Sequence, residues 1–164
     1  MNVELTNKFA DYLPLRRTLV GQSSNTNLSE KPWFKVATIS DTFANNDYHV
    51  VFFVRSTYGS GFSGILLCHL RTGSANTFSN YEFYWLCSSG ITKENFVLAY
   101  NPNVSPCTAE IWCKTTVAWQ GIQFDVISEG TRANFDQKWS LTASGLTNGG
   151  YAGITSGYTQ VTST

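Results

Sequence analysis

The sequence predicts an all-β fold, an antiparallel β-sandwich of jelly-roll type with an irregular N-terminal arm. Three observations lead there. Apolar and polar residues alternate with period two in segment after segment beyond residue 31, the signature of strands with one face in a core. Breakers such as Asn45-Asn46-Asp47, Gly59-Ser60-Gly61, Gly73-Ser74 and Ser88-Ser89-Gly90 separate these segments at short intervals. No segment sustains a helical period. Composition agrees: aromatics make up 15% of 164 residues, and Gly, Ser, Thr and Asn abound, which suits strands joined by many turns.

Residues 1–30 form the arm. Val3, Leu5, Phe9, Tyr12, Leu13, Leu15 and Leu19 are apolar without a common period, and Pro14 stops any helix. The arm is expected to lie outside the main core. Residues 31–143 form the sandwich, with strands expected at 33–39, 48–55, 63–71, 78–86, 95–101, 107–114, 121–129 and 137–143. Residues 144–164 form a Gly/Ser/Thr-rich tail, either a last edge strand or a loosely held end.

The segment 108–128 organises the rest. Cys107, Ala109, Ile111 and Cys113 alternate with Thr108, Glu110, Trp112 and Lys114; after a loop at 115–121, Ile122, Phe124 and Val126 alternate with Gln123, Asp125 and Ile127. The spacing predicts a hairpin with a long aromatic loop. Two other strands are apolar on both faces. Tyr48, Val50, Phe52 and Val54 alternate with Val51 and Phe53, and Tyr81, Phe83 and Trp85 with Tyr84 and Leu86. A free sandwich has polar outer faces, so something covers these strands. The arm or tail is the plain choice; a subunit interface is the preferred one.

Several functions are excluded. Eleven basic and eleven acidic residues balance, so no basic footprint for nucleic acid or anionic membrane exists. No apolar run reaches the ~20 residues of a bilayer span, and no secretion signal is expected at the start. Cys107 and Cys113 are too far apart along one strand to bridge. Cys68 and Cys87 could be neighbours, but four buried free thiols, suited to folding in a reducing cytoplasm, are the expectation.

Catalytic chemistry finds little footing. His49 and His69 fall on separate strands with no paired Cys, a poor zinc set. Gly61-Phe62-Ser63-Gly64-Ile65 lacks the last glycine of a nucleophile elbow. Glu82, Glu110, Asp125 and Glu129 sit on strands. Glu110 and Asp125 could face each other across the hairpin as a glycosidase pair, but solvated surface carboxylates are the plainer account. No metal and no cofactor is expected. The oxygen-rich stretch from Asp41 to Asp47 has calcium-type ligands but no EF-hand order, and Asx turns explain it equally.

Binding is the better prospect. Tyr58, in the loop 56–62, and Trp119, in the loop 115–121, could stack on a sugar ring, with Gln120 as a polar neighbour. Either ring could instead fold back over the sandwich end. Trp33, Trp85 and Trp139 belong to strands and the core. Trp112, on the polar face of its strand, is a candidate for a ligand or for the subunit interface.

Two stretches carry a family resemblance. Tyr12-Leu13-Pro14-Leu15-Arg16-Arg17-Thr18-Leu19-Val20-Gly21 resembles the LPL-x-x-TLxG segment of bacteriophage tail fibres, with Arg16-Arg17 where those fibres usually carry Gly-Gly. Trp33-Phe34-Lys35-Val36-Ala37-Thr38-Ile39 is similar to the W-Y-K-I-x-T-L opening of fibre C-terminal head domains, and the later strands follow that family's order. The resemblance spans about residues 12–127. It implies a non-enzymatic receptor-binding head, homotrimeric, at the fibre tip of a virion, attached to a host-surface receptor that is commonly a glycan. The alternatives are a carbohydrate-binding module of a bacterial secreted protein, which would be monomeric, and a polysaccharide depolymerase, which needs a carboxylate pair in a groove.

Overall fold

The computed structural model describes residues 16–21, 33–41, 45–57, 61–73, 78–101, 106–117, 119–132, 138–142 and 157–164. Within them, ten strands build two five-stranded antiparallel sheets. The first sheet runs β1 (Arg17–Gly21), β8 (Gly121–Thr131), β3 (Asp47–Ser56), β4 (Ser63–Thr72), β5 (Phe78–Ser89). The second runs β10 (Thr159–Thr162), β6 (Phe96–Tyr100), β7 (Cys107–Lys114), β2 (Trp33–Asp41), β9 (Ser140–Leu141). The all-β antiparallel sandwich that the alternation predicts is the fold observed.

The inward residues of β3 show how the pattern works: Tyr48, Val50, Phe52 and Val54 are all buried. Aromatic rings knit the sheets together. Phe52 and Phe124 of the first sheet meet edge to face at 5.6 Å, and Phe96 of the second sheet reaches Trp85 at 4.9 Å, arrangements favoured by the ring quadrupole. The outer face of the first sheet carries an apolar row at its centre, flanked by His49, His69 and Glu82 toward one end and Arg55 toward the other. Val51, Leu67 and Tyr84 lie side by side in register, with Phe53 beside Ile65, all half-buried.

The hairpin is not what forms. β7 belongs to the second sheet and β8 to the first, so the loop between them crosses from one sheet to the other. Period two fixes which face of a strand is inward, but not which strand lies beside it. The arm is also corrected. Arg17–Gly21 is the edge strand β1, paired residue for residue with β8, and Val20 is in the core. Five residues are too few for a period to stand out beside Pro14. Of the strand expected at 137–143, Ser140–Leu141 is strand among the described residues 138–142, and Trp139 is buried just before it. The end of the tail is an edge strand, β10, beside β6.

Both open flanks of the sandwich are laced. On one, Thr18 Oγ1 donates to the Thr142 carbonyl at 2.7 Å, and Thr142 N donates to Val36 O at 2.9 Å. On the other, Ser163 N donates to Phe96 O in the second sheet, while Thr164 exchanges backbone hydrogen bonds with Phe83 and Trp85 in the first. Trp85 Nε1 donates to Ser163 Oγ, which donates in turn to Lys93 O, both at 2.8 Å.

Candidate functional site

Three connections meet at one end of the sandwich: β3 to β4, β5 to β6, and β7 to β8. Ser56 N donates to Phe62 O, and Thr57 N donates to Gly121 O at 2.8 Å, so the first and third are tied together. The two loops singled out in the sequence are therefore neighbours. Between them and the β5–β6 turn lies a recess of about 20 Å³, floored by Phe62 and Phe96, which meet edge to face at 6.0 Å. Lys114, Thr116 and Gln120 supply one polar wall, and Thr92 and Asn95 the other.

Trp119 immediately precedes Gln120 of the recess wall. Its backbone has φ of +63°, a region that large side chains seldom adopt, and 51% of the residue is exposed. Val117 in the same loop is also exposed. A strained, exposed tryptophan is held by its surroundings rather than by its own preference. One holder is Gln120, whose buried Oε1 accepts a hydrogen bond from Thr116 N at 2.8 Å and closes the loop on itself.

The other candidates fare differently. Gln120 faces inward, as a brace for the loop and part of the recess wall. Trp112 is only 3% exposed. It packs in a small cluster with Val97 and Ala99 against Trp33 and Tyr158, its Nε1 donates to Glu110 Oε2 at 2.9 Å, and Lys35 Nζ lies 5.6 Å from its ring. It is not an open binding face. Tyr58 lies outside the described residues. The sequence missed Thr92, Asn95, Thr116 and Lys114, because residues in a turn or at a strand end carry no pattern that marks a recess.

Glu110, Asp125 and Glu129 are structural ions rather than a solvated surface set, whereas Glu82 is exposed as expected. Glu110 and Asp125 lie on different sheets, so they do not face each other across a hairpin. Glu110 pairs with Lys35 at 3.1 Å. Asp125 pairs with Arg17 and accepts from Gln123 Nε2 at 2.8 Å; the hydrogen bond and charge of Asp125 hold the Arg17 guanidinium more firmly protonated. Glu129, nearly buried, accepts from Arg16 and from Trp139 N at 2.6 Å, and Arg16 also donates to the Trp139 carbonyl. The two arginines that stand where the fibre motif has glycines thus bind β1 to β8 and to the segment before β9.

At the opposite end, His69 lies 3.3 Å from Asp47 and 3.5 Å from Glu82. Among the described residues no group of His, Cys, Asp and Glu is arranged to hold a metal. In the stretch considered for calcium, the Asn46 oxygens are taken up by protein donors: Asp47 N donates to Asn46 Oδ1 and Thr72 N to Asn46 O; residues 42–44 lie outside the described set. All four cysteines are free, but Cys87 is exposed, a correction to four buried thiols. It sits near the end of the edge strand β5. Burial pushes the thiols of Cys68 and Cys113 up, away from the reactive thiolate.

No family model and no curated protein matches the chain. Among solved structures, the chain is similar to WceF of Pantoea stewartii, described as a glycan biofilm modifying enzyme with a bacteriophage tailspike-like parallel β-helix fold. Identity is 10% and the TM-score 0.48, over 90% of this chain but only 22% of that one. A likeness this slight carries no argument about activity.

Proposed function

We propose that this chain is a non-enzymatic attachment head of a phage tail fibre that binds a host-surface glycan through the loop end of the sandwich. The observation that carries the reading is Trp119: exposed, held at positive φ, and next in sequence to Gln120, which lines a polar recess where three loops converge. An aromatic face next to fixed donors and acceptors suits a pyranose, which has an apolar face and a polar edge. The fibre-like segments at Tyr12–Gly21 and Trp33–Ile39 support the same reading, and in β1 the C-terminal part of the first, Arg17–Gly21, ends beside Gly121 at this end.

The head acts as a homotrimer. The half-buried apolar row of Val51, Phe53, Ile65, Leu67 and Tyr84 on the outer face of the first sheet supports this, since obligate interfaces resemble cut cores. Three weak sites on one fibre would then act together at high effective concentration. Glycan-array binding of the purified protein tests the function. Trp119→Ala should lose at least about tenfold in binding while fold and oligomer persist. Unchanged binding by that variant removes the loop end as the site. Light scattering should return three times the 18.2 kDa chain mass; a monomer mass rules out the trimer.

A further inference from the structure

We propose that the recess lined by Gln120, the residue after Trp119, receives a single anionic group, a carboxylate or a phosphate, from an acidic glycan, with Lys114 supplying the charge. This rests on the glycan-attachment reading and names the sugar chemistry which that reading leaves open.

Charge comes first. Lys114 is the one ionic side chain lining the recess among the described residues, and no carboxylate lines it there. Arg16, Arg17 and Lys35 are each matched by a carboxylate. Lys114 has no ion pair among the described residues.

The donors agree. Because Gln120 Oε1 accepts from Thr116 N, the two hydrogens of its Nε2 are left for the recess. The Thr116 hydroxyl also points to Gln120 Oε1, at 3.5 Å, so the Thr92 hydroxyl and the Asn95 amide complete the wall of donors. An anion prefers such a wall, and charge-assisted hydrogen bonds are about twice as strong as neutral ones. The aromatic floor of Phe62 and Phe96 keeps the local dielectric low, which strengthens the attraction of Lys114.

Size decides how the sugar sits. About 20 Å³ holds one small group and not a pyranose ring. The ring must stay outside, where Trp119 is exposed one residue before Gln120. Adjacent Cα atoms are ~3.8 Å apart, so one acidic sugar can place its charged group in the recess and its ring at the tryptophan. With formal net charge zero, the chain has no long-range pull on anions, and selection for acidic sugar falls to this local site.

The test is calorimetric titration of the full chain with three probes: an oligogalacturonate, a glycerol phosphate oligomer and a maltooligosaccharide. We expect an anionic probe to bind about tenfold tighter than the neutral one, with Lys114→Gln erasing that preference and Lys114→Arg restoring much of it. Affinity should fall several-fold between about 50 and about 300 mM salt. The first two probes separate carboxylate from phosphate. Arg71→Gln, at the far end of β4, controls for net charge and should change nothing. If the neutral probe binds as tightly as the others, and Lys114→Gln is silent while Trp119→Ala is not, the acidic-sugar proposal is overturned and glycan attachment stands. If neither anionic probe binds, the proposal is overturned, and the glycan array decides the attachment reading separately.

Discussion

Gly21 and the carbonyl of Gln120 touch across the β1–β8 edge: a Cβ built on Gly21 would lie 2.0 Å from the Gln120 oxygen, and the backbone there has φ of +146°. Only glycine fits both the space and the angle. The last residue of the fibre-like segment thus holds the base of the Trp119 loop. Gly21→Ala should cost about 2 kcal/mol or more and weaken glycan binding by displacing the loop. Urea denaturation and array binding check it; an alanine variant as stable as the parent would refute the close contact.

Arg16 and Glu129 form the second anchor. The Glu129 side chain is 4% exposed, so removing Arg16 leaves a carboxylate with little water and only Trp139 N for support. Arg16→Ala should cost about 3 kcal/mol. Glu129→Gln should cost less, because an amide oxygen still accepts from Trp139 N. A thermal shift series on the two single variants and the double variant measures the pair; additivity in the double variant would show that they do not interact.

On the proposed attachment role, Trp119 would trade stability for binding. Glycine at this position relieves the cost of positive φ, and the lost side chain was half in water. Trp119→Gly should leave stability unchanged or raise it by up to ~1 kcal/mol, while binding falls as in Trp119→Ala. A large loss of stability would mean that the ring is a packing element.

The thiols predict a reactivity pattern and a pH slope. Cys87 should react with a disulfide reagent in the folded protein, whereas Cys68, Cys107 and Cys113 should react only on unfolding. Folding raises the thiol pKa of Cys68 and Cys113 above the ordinary 9.0. Their contribution to stability is therefore fully present below pH 9.0 and declines above it, where the unfolded chain gives up protons that the folded chain keeps. Two such thiols give a slope of about 2.7 kcal/mol per pH unit. Urea midpoints on either side of that pH, for the parent and for a Cys68→Ala, Cys113→Ala double variant, isolate this share of the slope.

The strands were legible because alternation reports directly on burial. Tyr48, Val50, Phe52 and Val54 are inward as their spacing predicts, and β2 to β8 form close to the expected positions. Partners were not legible, since β7 and β8 would show the same alternation within one sheet or in two. The fates of Glu110, Asp125 and Glu129 were hidden for the same reason: their cations come from Lys35, Arg17 and Arg16, on strands whose adjacency only the fold reveals. Trp119 was visible as an odd aromatic in a polar loop. The recess lined by Gln120 was not, because its walls come from three separate connections.

The laced flanks bear on how the protein assembles. Thr18 and Thr142 are 124 positions apart, and Trp85 and Ser163 are 78 apart. Each lace closes a long loop, whose entropy is lost before the contact is gained. The meander of β3, β4 and β5 can form locally, but neither flank shuts until distant segments have found it. Folding should be slow for a chain of this size, in the millisecond-to-second range of topologies with high contact order. Until it finishes, the edge at Phe83 and Trp85 offers bare backbone to any passing strand.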